Sequence, residues 1–540
     1  MTQKLFFGGV GAFFLLFLVI PVVTVFIEAF SGLAPGGVLT TVVDTITAPQ
    51  TRSIIGFTVW QAFLSAFLGT LLALPVAYLV AHYRFRGRRF LFSLSLIPFV
   101  LPSIIVVVCM ISFYGQSGLI NSVLGTDFNL VYNFRGIILA HIFYDFSLAI
   151  RVIATSWRSI DKRYRETAES LGDQGRGIFF RVTLPLLAPA LITGFVLIFI
   201  YTFLSFGIIL VFGGIQFQTI EVAIYQEMFI NLDLGTAAVY ALIQILFSFL
   251  FLRLSSSSLH AARGSAPGSQ KELPPLSAAP PARRWMLRGY AFLVVVFVLG
   301  PILTMFARAF GSLSGALSLE NFRELLAPQA GERNVESVLR STVGGVILRS
   351  VGIAAASGTL TILVAGGLAV SLRGRRATFW ESLLQAPIGI SLVTLSLGLR
   401  LFWSGTVPPL LLIIAGQFFV AFPLVFRILR SGVEELPDTQ LQAASILGAS
   451  RWRAFREIEF PLLRRTFLNG YAYALALPFA DLTVVLAAGQ GRVATFPVAI
   501  YRLIGFRSFD LALALSVIYI VLCLALFAVI DATSFSRSTT

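Results

Sequence analysis

The residues that could do chemistry inside this chain are few, and three of them lie together in one apolar stretch. In His141, Tyr144 and Asp145 the imidazole and the carboxylate fall one helical turn apart on the same face. Such a group could bind a cation or a polar solute, and Asp481 offers a second carboxylate in a later apolar stretch. A buried hydrogen bond between helices is the plainer hypothesis for the trio, and we favour it slightly; both hypotheses stay open for Asp481.

Nothing in the sequence assembles a catalytic set. Cys109 and Cys523 lie in separate apolar stretches, where we expect small core residues rather than a disulfide or a metal site. None of the three lysines follows a glycine as it would in the phosphate-binding pattern GxxxxGK[ST], so we expect no ATP site. We therefore expect no enzyme activity, no cofactor and no bound metal.

The composition is that of a membrane protein. Of the 540 residues, 57% are hydrophobic and only 12% are charged, which leaves too little polar surface for a soluble fold of this length. The net charge of +15 is attributed to basic loops at one membrane face, and no nucleic acid partner is expected. We predict an all-α polytopic protein whose immediate surroundings are membrane lipid.

Crossing the hydrocarbon layer takes about 20 apolar residues in a helix. The apolar runs here are continuous rather than alternating, which favours helices over a barrel. We read the first run as a retained span, because it is too long for a signal peptide and has no small-residue cleavage site. Twelve spans are predicted: 5–29, 54–82, 90–114, 137–156, 186–212, 234–254, 286–308, 346–371, 379–403, 410–430, 464–487 and 509–531.

The distribution of positive charge predicts the orientation of these spans. If both termini are cytoplasmic, 29 of the 40 Lys and Arg residues fall on the cytoplasmic side, whereas the inverted topology would place the majority outside. We therefore expect a multi-pass protein of the bacterial inner membrane with both termini in the cytoplasm.

The chain repeats itself after six spans. FSLAIR at 146–151 matches FPLVFR at 422–427, and VAIY occurs at 222–225 and again at 498–501, each pair 276 residues apart. An even number of spans returns the chain to its starting side, so the repeat is parallel. The predicted organisation is a first half at 1–254 with its core at 54–254, a linker at 255–284, and a second half at 285–540 with its core at 344–532.

The linker is rich in Ser, Pro and Ala and poor in large apolar residues. This composition predicts a flexible cytoplasmic tether, in which a deletion of about ten residues within 258–280 would be tolerated.

A long basic loop follows the fourth span of each half. It has a short helical stretch, a glycine, and a proline thirteen residues further on. Small alanines permit close approach, glycine permits a sharp turn, and proline fits the first turn of the next helix. An exposed helix–turn–helix of this kind could dock into a groove of a cytoplasmic partner. The matched residues are Glu166, Ala168, Gly172 and Pro185 in the first half and Gln442, Ala444, Gly448 and Pro461 in the second.

These two loops resemble the EAA loop of bacterial binding-protein-dependent ABC permeases. Thr167 replaces the first alanine in one copy, and Gln442 replaces the glutamate in the other. The resemblance implies a six-helix fold in each half and docking of the loops into nucleotide-binding subunits. It also implies the partners: two copies of a cytoplasmic ABC ATPase and an extracytoplasmic substrate-binding protein.

The first half also resembles the fused permeases of thiamine importers, through the strings WQAFLSAFLG (60–69), FYGQSGLINSVLG (113–125), GIILAHIFYD (136–145) and TIEVAIYQ (219–226). Asp145 stands where that group is expected to have Asn, and Ser147 where it is expected to have Pro. The resemblance implies thiamine as substrate, with ferric iron as the alternative. His141, Tyr144, Asp145 and Asp481 then become candidates for the translocation pathway.

An ion-coupled secondary transporter with twelve helices is the competing class. It would need neither of the two long loops nor their matched glycines, and it would usually carry charged residues inside the membrane for ion coupling.

Glu221 and Glu227, near the sixth span, are expected in a solvated outer loop.

Overall fold

The protein is described here from a computed structural model in which residues 2–31, 38–128, 130–214, 216–263, 273–311, 317–326, 335–373, 384 and 386–535 are placed. These residues form helices joined by short turns. The described part of the chain contains no β-sheet, only an isolated bridge between Arg84 and Pro275. The all-α fold predicted from the continuous apolar runs is therefore confirmed.

Up to Arg263 the helices follow the spans and surface loops of the first half, and α16 is the first span of the second half. The helices are α1 Thr2–Phe14, α2 Ile20–Ser31, α3 Val38–Thr47, α4 Pro49–His82, α5 Arg88–Leu94, α6 Ile97–Val100, α7 Ser103–Tyr114, α8 Leu119–Leu124, α9 Phe134–Ser159, α10 Lys162–Ser170, α11 Arg176–Ile178, α12 Leu184–Phe203, α13 Gly207–Phe212, α14 Ile220–Gln226, α15 Leu234–Arg263 and α16 Pro281–Ala309.

The remaining helices repeat this order from α19 onward. They are α17 Glu320–Leu326, α18 Val335–Leu339, α19 Val343–Ser371, α20 Leu392–Trp403, α21 Pro409–Glu434, α22 Asp438–Ile446, α23 Arg451–Ala454, α24 Phe460–Ala480, α25 Thr483–Ala488, α26 Phe496–Gly505 and α27 Phe509–Phe535. Four π-helical turns join neighbouring helices, at Leu15–Val19, Phe179–Thr183, Glu227–Asn231 and Phe455–Glu459.

Within the described residues, nine helices are long and apolar enough to cross a membrane, and three shorter apolar helices accompany them. The predicted span 90–114 is broken into α5, α6 and α7. Pro98 and Pro102 explain the break, because each lacks a backbone N–H and disfavours the helical conformation of the residue before it. The beginning of the predicted span 379–403 lies outside the described residues.

The fifth span of each half is interrupted, where the sequence predicted continuous runs at 186–212 and 464–487. In the first half α12 ends at Phe203 and α13 begins at Gly207; in the second half α24 ends at Ala480 and α25 begins at Thr483. The restart points are 276 residues apart, the offset of the sequence repeat. The two halves therefore share this irregular backbone as well as their spans.

Two hydroxyl groups also occupy matching positions in the two halves. Thr58 accepts a hydrogen bond from the backbone N–H of Ile220 at 3.0 Å, and Ser350 accepts one from Phe496 at 2.9 Å. Each hydroxyl satisfies a backbone donor at the start of a short helix that follows the broken span, which apolar surroundings require. The repeat thus extends to individual hydrogen bonds.

The compact units of the structure exchange their first helices. One unit, here the first-half unit, contains residues 33–232 and 239–317 and so includes α16, the first span of the second half. The other, the second-half unit, contains residues 1–32, 233–238 and 318–540 and so includes α1 and α2. The halves defined by the sequence repeat and the units defined by packing therefore differ.

Aromatic packing fixes the first span within the second-half unit. The ring of Phe13 lies 4.9 Å from that of Phe418 and 5.7 Å from that of Phe419. The indole of Trp403 donates a hydrogen bond to the carbonyl of Leu16 at 3.2 Å. Contacts of this kind add specific geometry to the burial of apolar surface.

The structure narrows the segment that was predicted as a flexible linker. Helix α15 continues to Arg263, past the predicted boundary at residue 254. Residues 273–280 bond to the backbone of Arg84 and bury Leu276. Only 264–272 remains as a candidate tether, and it lies outside the described residues, so the deletion predicted within 258–280 now applies to that stretch alone.

Candidate functional site

The two loops after the fourth spans have the same turn. Gly172 has φ +90° and Gly448 has φ +75°, the left-handed conformation that glycine adopts without strain. Directly after each glycine, a backbone N–H donates to an alanine carbonyl at 3.0 Å: Asp173 to Ala168, and Ala449 to Ala444. This closes the end of the short helix in a Schellman-like geometry, as the glycine spacing predicted.

The side chains of each loop divide into an inner and an outer face. Ala168 and Ala444, the alanines for which a close approach was predicted, are buried. Glu166 and Gln442 are exposed on the opposite side of their helices. The loop thus presents polar groups outward while it rests on alanine.

Sequence reasoning missed the most exposed apolar residues of these loops. Leu171 is 83% exposed and Leu447 is 87% exposed, each one residue before its turn glycine. In the second loop Ile446 is exposed as well, whereas the first loop has Ser170 at that position. The available signal was the repeat itself, which aligns the two leucines at the 276-residue offset. Protruding apolar side chains on a polar loop are typical of a binding surface.

Pro185 and Pro461 lie in the first turn of α12 and α24, as the sequence predicted. In both copies helical backbone already runs from Arg176 or Arg451 into that turn through a π-helical turn. A proline inside a helix cannot donate its backbone hydrogen bond, and a wider π turn accommodates the missing donor. The prolines therefore shape the helix after the loop.

Ion pairs distinguish the two loops. In the first, Arg181 contacts Asp173 at 2.9 Å and so connects the turn to the following helix. In the second, Arg453 contacts Glu457 at 3.2 Å, a pair within one helical stretch. Exposed pairs such as these contribute about 0–1 kcal/mol, so the glycine turns dominate the geometry of the loops.

The fourth span of the first half places the candidate trio in two environments. Asp145 is buried, and its Oδ2 accepts a hydrogen bond from the Thr202 hydroxyl at 3.1 Å. His141 is also fully buried, one turn away. Tyr144 instead packs beside Phe99, with ring centroids 5.8 Å apart, and is partly exposed. The histidine and the carboxylate therefore share the packed side of α9, and the tyrosine does not.

Asp145 lies where three helices of the first-half unit meet. Thr202, on α12, bonds to Asp145 on α9, and its backbone carbonyl accepts a hydrogen bond from the Gln61 amide on α4 at 3.2 Å. Among the described residues, Oδ1 of Asp145 and Oε1 of Gln61 have no hydrogen-bond partner. The arrangement is a buried polar junction just before the break in the fifth span.

In the second half, a different side chain donates a hydrogen bond to the carbonyl beside the broken span. Gln417 occupies the position of His141 at the repeat offset, and its amide donates to the Pro478 carbonyl at 3.0 Å. Pro478 corresponds in turn to Thr202. Each carbonyl also accepts a backbone N–H at 3.2 Å, Thr202 from Ser205 and Pro478 from Asp481. A buried glutamine amide therefore adds a second bond, from another helix, at the break in both halves.

Asp481 lies in the second-half unit and caps a helix. Its carboxylate accepts backbone N–H groups of Thr483 at 3.0 Å and of Val484 at 3.1 Å, at the start of α25. Although Leu482 is the residue directly before the helix, the Asp481 carboxylate thus satisfies free N–H groups of the first turn, as a capping aspartate does. The geometry thus supplies a structural role for Asp481 at the break in the eleventh span.

Glu221 was expected in a solvated loop, and the structure corrects this. Its side chain is buried and accepts a hydrogen bond from the Gln244 amide at 2.7 Å. Glu227 is partly exposed and accepts one from Asn231 at 2.8 Å. Only tertiary packing could separate these two glutamates, which lie six residues apart.

Comparison with known proteins agrees with the repeat. The family of binding-protein-dependent transport system inner membrane components matches residues 69–257 and again 285–536. The thiamine transport system permease protein ThiP of Brucella abortus (strain 2308) is 28% identical over 495 residues, which cover 89% of this chain and 87% of that protein.

Two further relatives differ in how much of the chain they cover. The ThiP protein of Haemophilus influenzae is 27% identical over 498 residues, 89% of this chain and 88% of its own length. The probable sulfate transport system permease protein cysT of Chlorella vulgaris is 30% identical over 214 residues, 39% of this chain and 80% of its own length. The chain therefore belongs to the family of binding-protein-dependent transport system inner membrane components, as a permease subunit that carries the family's unit twice.

Proposed function

We propose that this chain is the membrane-spanning subunit of an ATP-driven ABC importer for thiamine. It receives substrate from an extracytoplasmic binding protein and releases it into the cytoplasm. Two copies of a cytoplasmic ABC ATPase supply the energy, one at each of the two matched loops. Both termini lie in the cytoplasm, on the same side as these loops.

The observation that carries the coupling role is the pair of identical turns with protruding leucines. Both turns follow the fourth span of a half, lie in an Arg-rich loop and present an apolar tip. Two matched docking tips fit a partner that is itself present twice. A secondary transporter has no use for such a pair.

Support for thiamine comes from the relatives named as thiamine permeases, which match almost the whole chain. Reconstitution with the cognate ATPase and binding protein tests the proposal by uptake of radiolabelled thiamine into vesicles. Uptake that requires ATP and the binding protein, and that excess ferric iron does not inhibit, is expected. Ferric iron uptake without thiamine uptake would identify ferric iron as the substrate. Uptake driven by an ion gradient without ATP would show that the protein is not an ABC importer.

We place His141 and Asp145 in the support of the helix junction rather than on the substrate's route. Both side chains are buried among helices of one unit, and Asp145 bonds directly to Thr202. Asp481 is assigned to helix capping, because its carboxylate accepts the backbone N–H of Thr483. Tyr144 remains the member of the set with partial exposure and an aromatic face for a cationic substrate.

Asp145→Asn is expected to keep thiamine uptake within about twofold of the unmodified protein, with equal or higher thermal stability. The amide oxygen still accepts the Thr202 hydrogen bond, and no buried charge has to be accommodated. Asp145→Leu should lower stability by roughly 1–3 kcal/mol, because it leaves polar groups of the junction unpaired. Uptake and thermal unfolding in detergent measure both changes. If Asn abolished uptake at normal stability and protein level, Asp145 would belong to the pathway.

A further inference from the structure

Residues 273–280, here called the docking segment, return to the first-half unit after the interval at 264–272. The backbone N–H of Arg84 donates to the carbonyl of Pro274 at 2.9 Å, and the N–H of Leu276 donates to the carbonyl of Arg84 at 3.0 Å. The two strands of this short bridge run parallel just after α4 ends. A segment with such bonds is held at a defined position.

Burial of side chains accompanies the backbone pairing. Leu276 is 6% exposed and Ala279 is 5% exposed, while Ser277 between them points to solvent. Tyr83, next to Arg84, is buried as well. Beyond the segment, the hydroxyls of Tyr83 and Tyr78 raise the pKa of the Arg283 guanidinium. The contact is therefore a small interface with an apolar centre and a polar edge.

The sequence prepares this segment for docking. Prolines lie near both ends of it, and Pro275 and Pro280 have the extended backbone that proline prefers. A chain that is already extended loses less conformational entropy when it binds than a flexible Ser/Gly tether would. The composition that predicted flexibility thus includes a preorganised binding element.

The helix that follows continues the same attachment. In α16 the Tyr290 hydroxyl donates to the Leu72 carbonyl at 2.6 Å, and Arg308 donates to the Ser117 carbonyl at 3.2 Å. Gly300 lies so close to the Phe113 ring that a Cβ there would meet it at 2.8 Å. The docking segment is thus the cytoplasmic end of a longer contact that runs along the exchanged span.

We propose that the docking segment is a recognition element by which the second half attaches to the end of α4, so that the covalent link through 264–272 is not needed for assembly. The partner that this surface fits is an extended, proline-framed segment at the start of a second polypeptide carrying the second half. The proposal depends neither on the substrate nor on the ATPase.

The test uses the complete chain with a protease recognition site inserted between Gly268 and Ser269. After assembly the protein is cut in the membrane, extracted in detergent and recovered through a tag on one piece. The cut protein is expected to retain both pieces and to keep the thermal midpoint of the uncut protein. If cutting alone separates the pieces or abolishes the cooperative thermal transition, the covalent link is needed and the proposal is overturned.

Leu276→Asp and the matched control Ser277→Asp then isolate the docking segment. After cutting, Leu276→Asp should lower recovery of the second piece about tenfold, since a buried leucine contributes that much to an equilibrium, whereas Ser277→Asp should not. In the uncut chain, Leu276→Asp should weaken docking of the segment less, because the covalent link keeps the segment at a high local concentration. Equal recovery of the two cut variants would show that the segment does not contribute and would overturn the proposal.

A second measurement keeps the test decisive if Leu276→Asp folds poorly. Cys109 and Cys523 are first replaced. A single cysteine is then introduced by Leu276→Cys or by Ser277→Cys and labelled with a membrane-impermeant thiol reagent on inverted vesicles. Labelling at 276 should be slower than at 277, because the buried position 276 can react only when the segment opens locally. Equal rates after cutting would mean that the segment leaves its site once the link is lost.

Discussion

Gly448→Val is expected to abolish ATP-driven uptake while the amount of protein in the membrane stays unchanged. Gly448 has φ +75°, and a β-branched residue held in that conformation costs roughly 1–3 kcal/mol. A Cβ at this position meets no atom within 4 Å, so the strain comes from the backbone alone and no packing is lost. The loop should therefore adopt a different turn and move Leu447 away from its docking position.

Gly448→Asn is the matched control, because asparagine tolerates the left-handed conformation far better than valine does. It should retain most of the uptake and bind the ATPase normally. Gly172→Val and Gly172→Asn repeat the pair in the first loop, where φ is +90°. The measurements are uptake into vesicles, ATPase co-purification and protein level in the membrane. Normal ATPase recruitment and uptake in Gly448→Val would contradict the assigned role of the turn.

Leu171→Asp is expected to remove the ATPase from the purified complex without destabilising the permease. The leucine is 83% exposed, so its replacement removes almost no packing within the chain. In a docked complex the same side chain would be buried, and the loss of a leucine anchor together with the burial of a carboxylate should weaken binding about 30-fold or more. Co-purification at increasing salt and ATPase stimulation in proteoliposomes measure the effect.

Leu447→Asp should have the smaller effect of the two, since Ile446 beside it remains exposed and apolar. Val123→Asp serves as a control for placing an acidic residue on an exposed apolar position away from the loops; Val123 is exposed and precedes the end of α8. It should bind the ATPase as the unmodified protein does. Full ATPase retention in a Leu171→Asp, Leu447→Asp double variant would remove the leucines from the docking surface.

The sequence alone determined the class of fold, the number of halves and the position of the two glycine turns. Continuous apolar runs require helices in lipid, and this requirement does not depend on the neighbours of any one helix. The turns at Gly172 and Gly448 were equally predictable, because a glycine at a fixed distance from a short helix specifies a left-handed residue by local sterics. The repeat offset could also have pointed to Leu171 and Leu447.

Tertiary structure decided which helices pack together and which polar groups are buried. The exchange of α1 and α2 with α16 rests on contacts between residues hundreds of positions apart, such as Phe13 with Phe418, which no local pattern contains. At the breaks in the fifth spans, backbone carbonyls accept amide donors from other helices, Gln61 and Gln417.

The docking segment shows the same limit of local information. Its Ser, Pro and Ala content indicates only that the segment cannot form a core of its own. Whether it remains free depends on whether another part of the chain offers a complementary edge, and the end of α4 at Arg84 does. Composition thus determined what the segment could not do by itself, and packing against a distant partner decided where it lies.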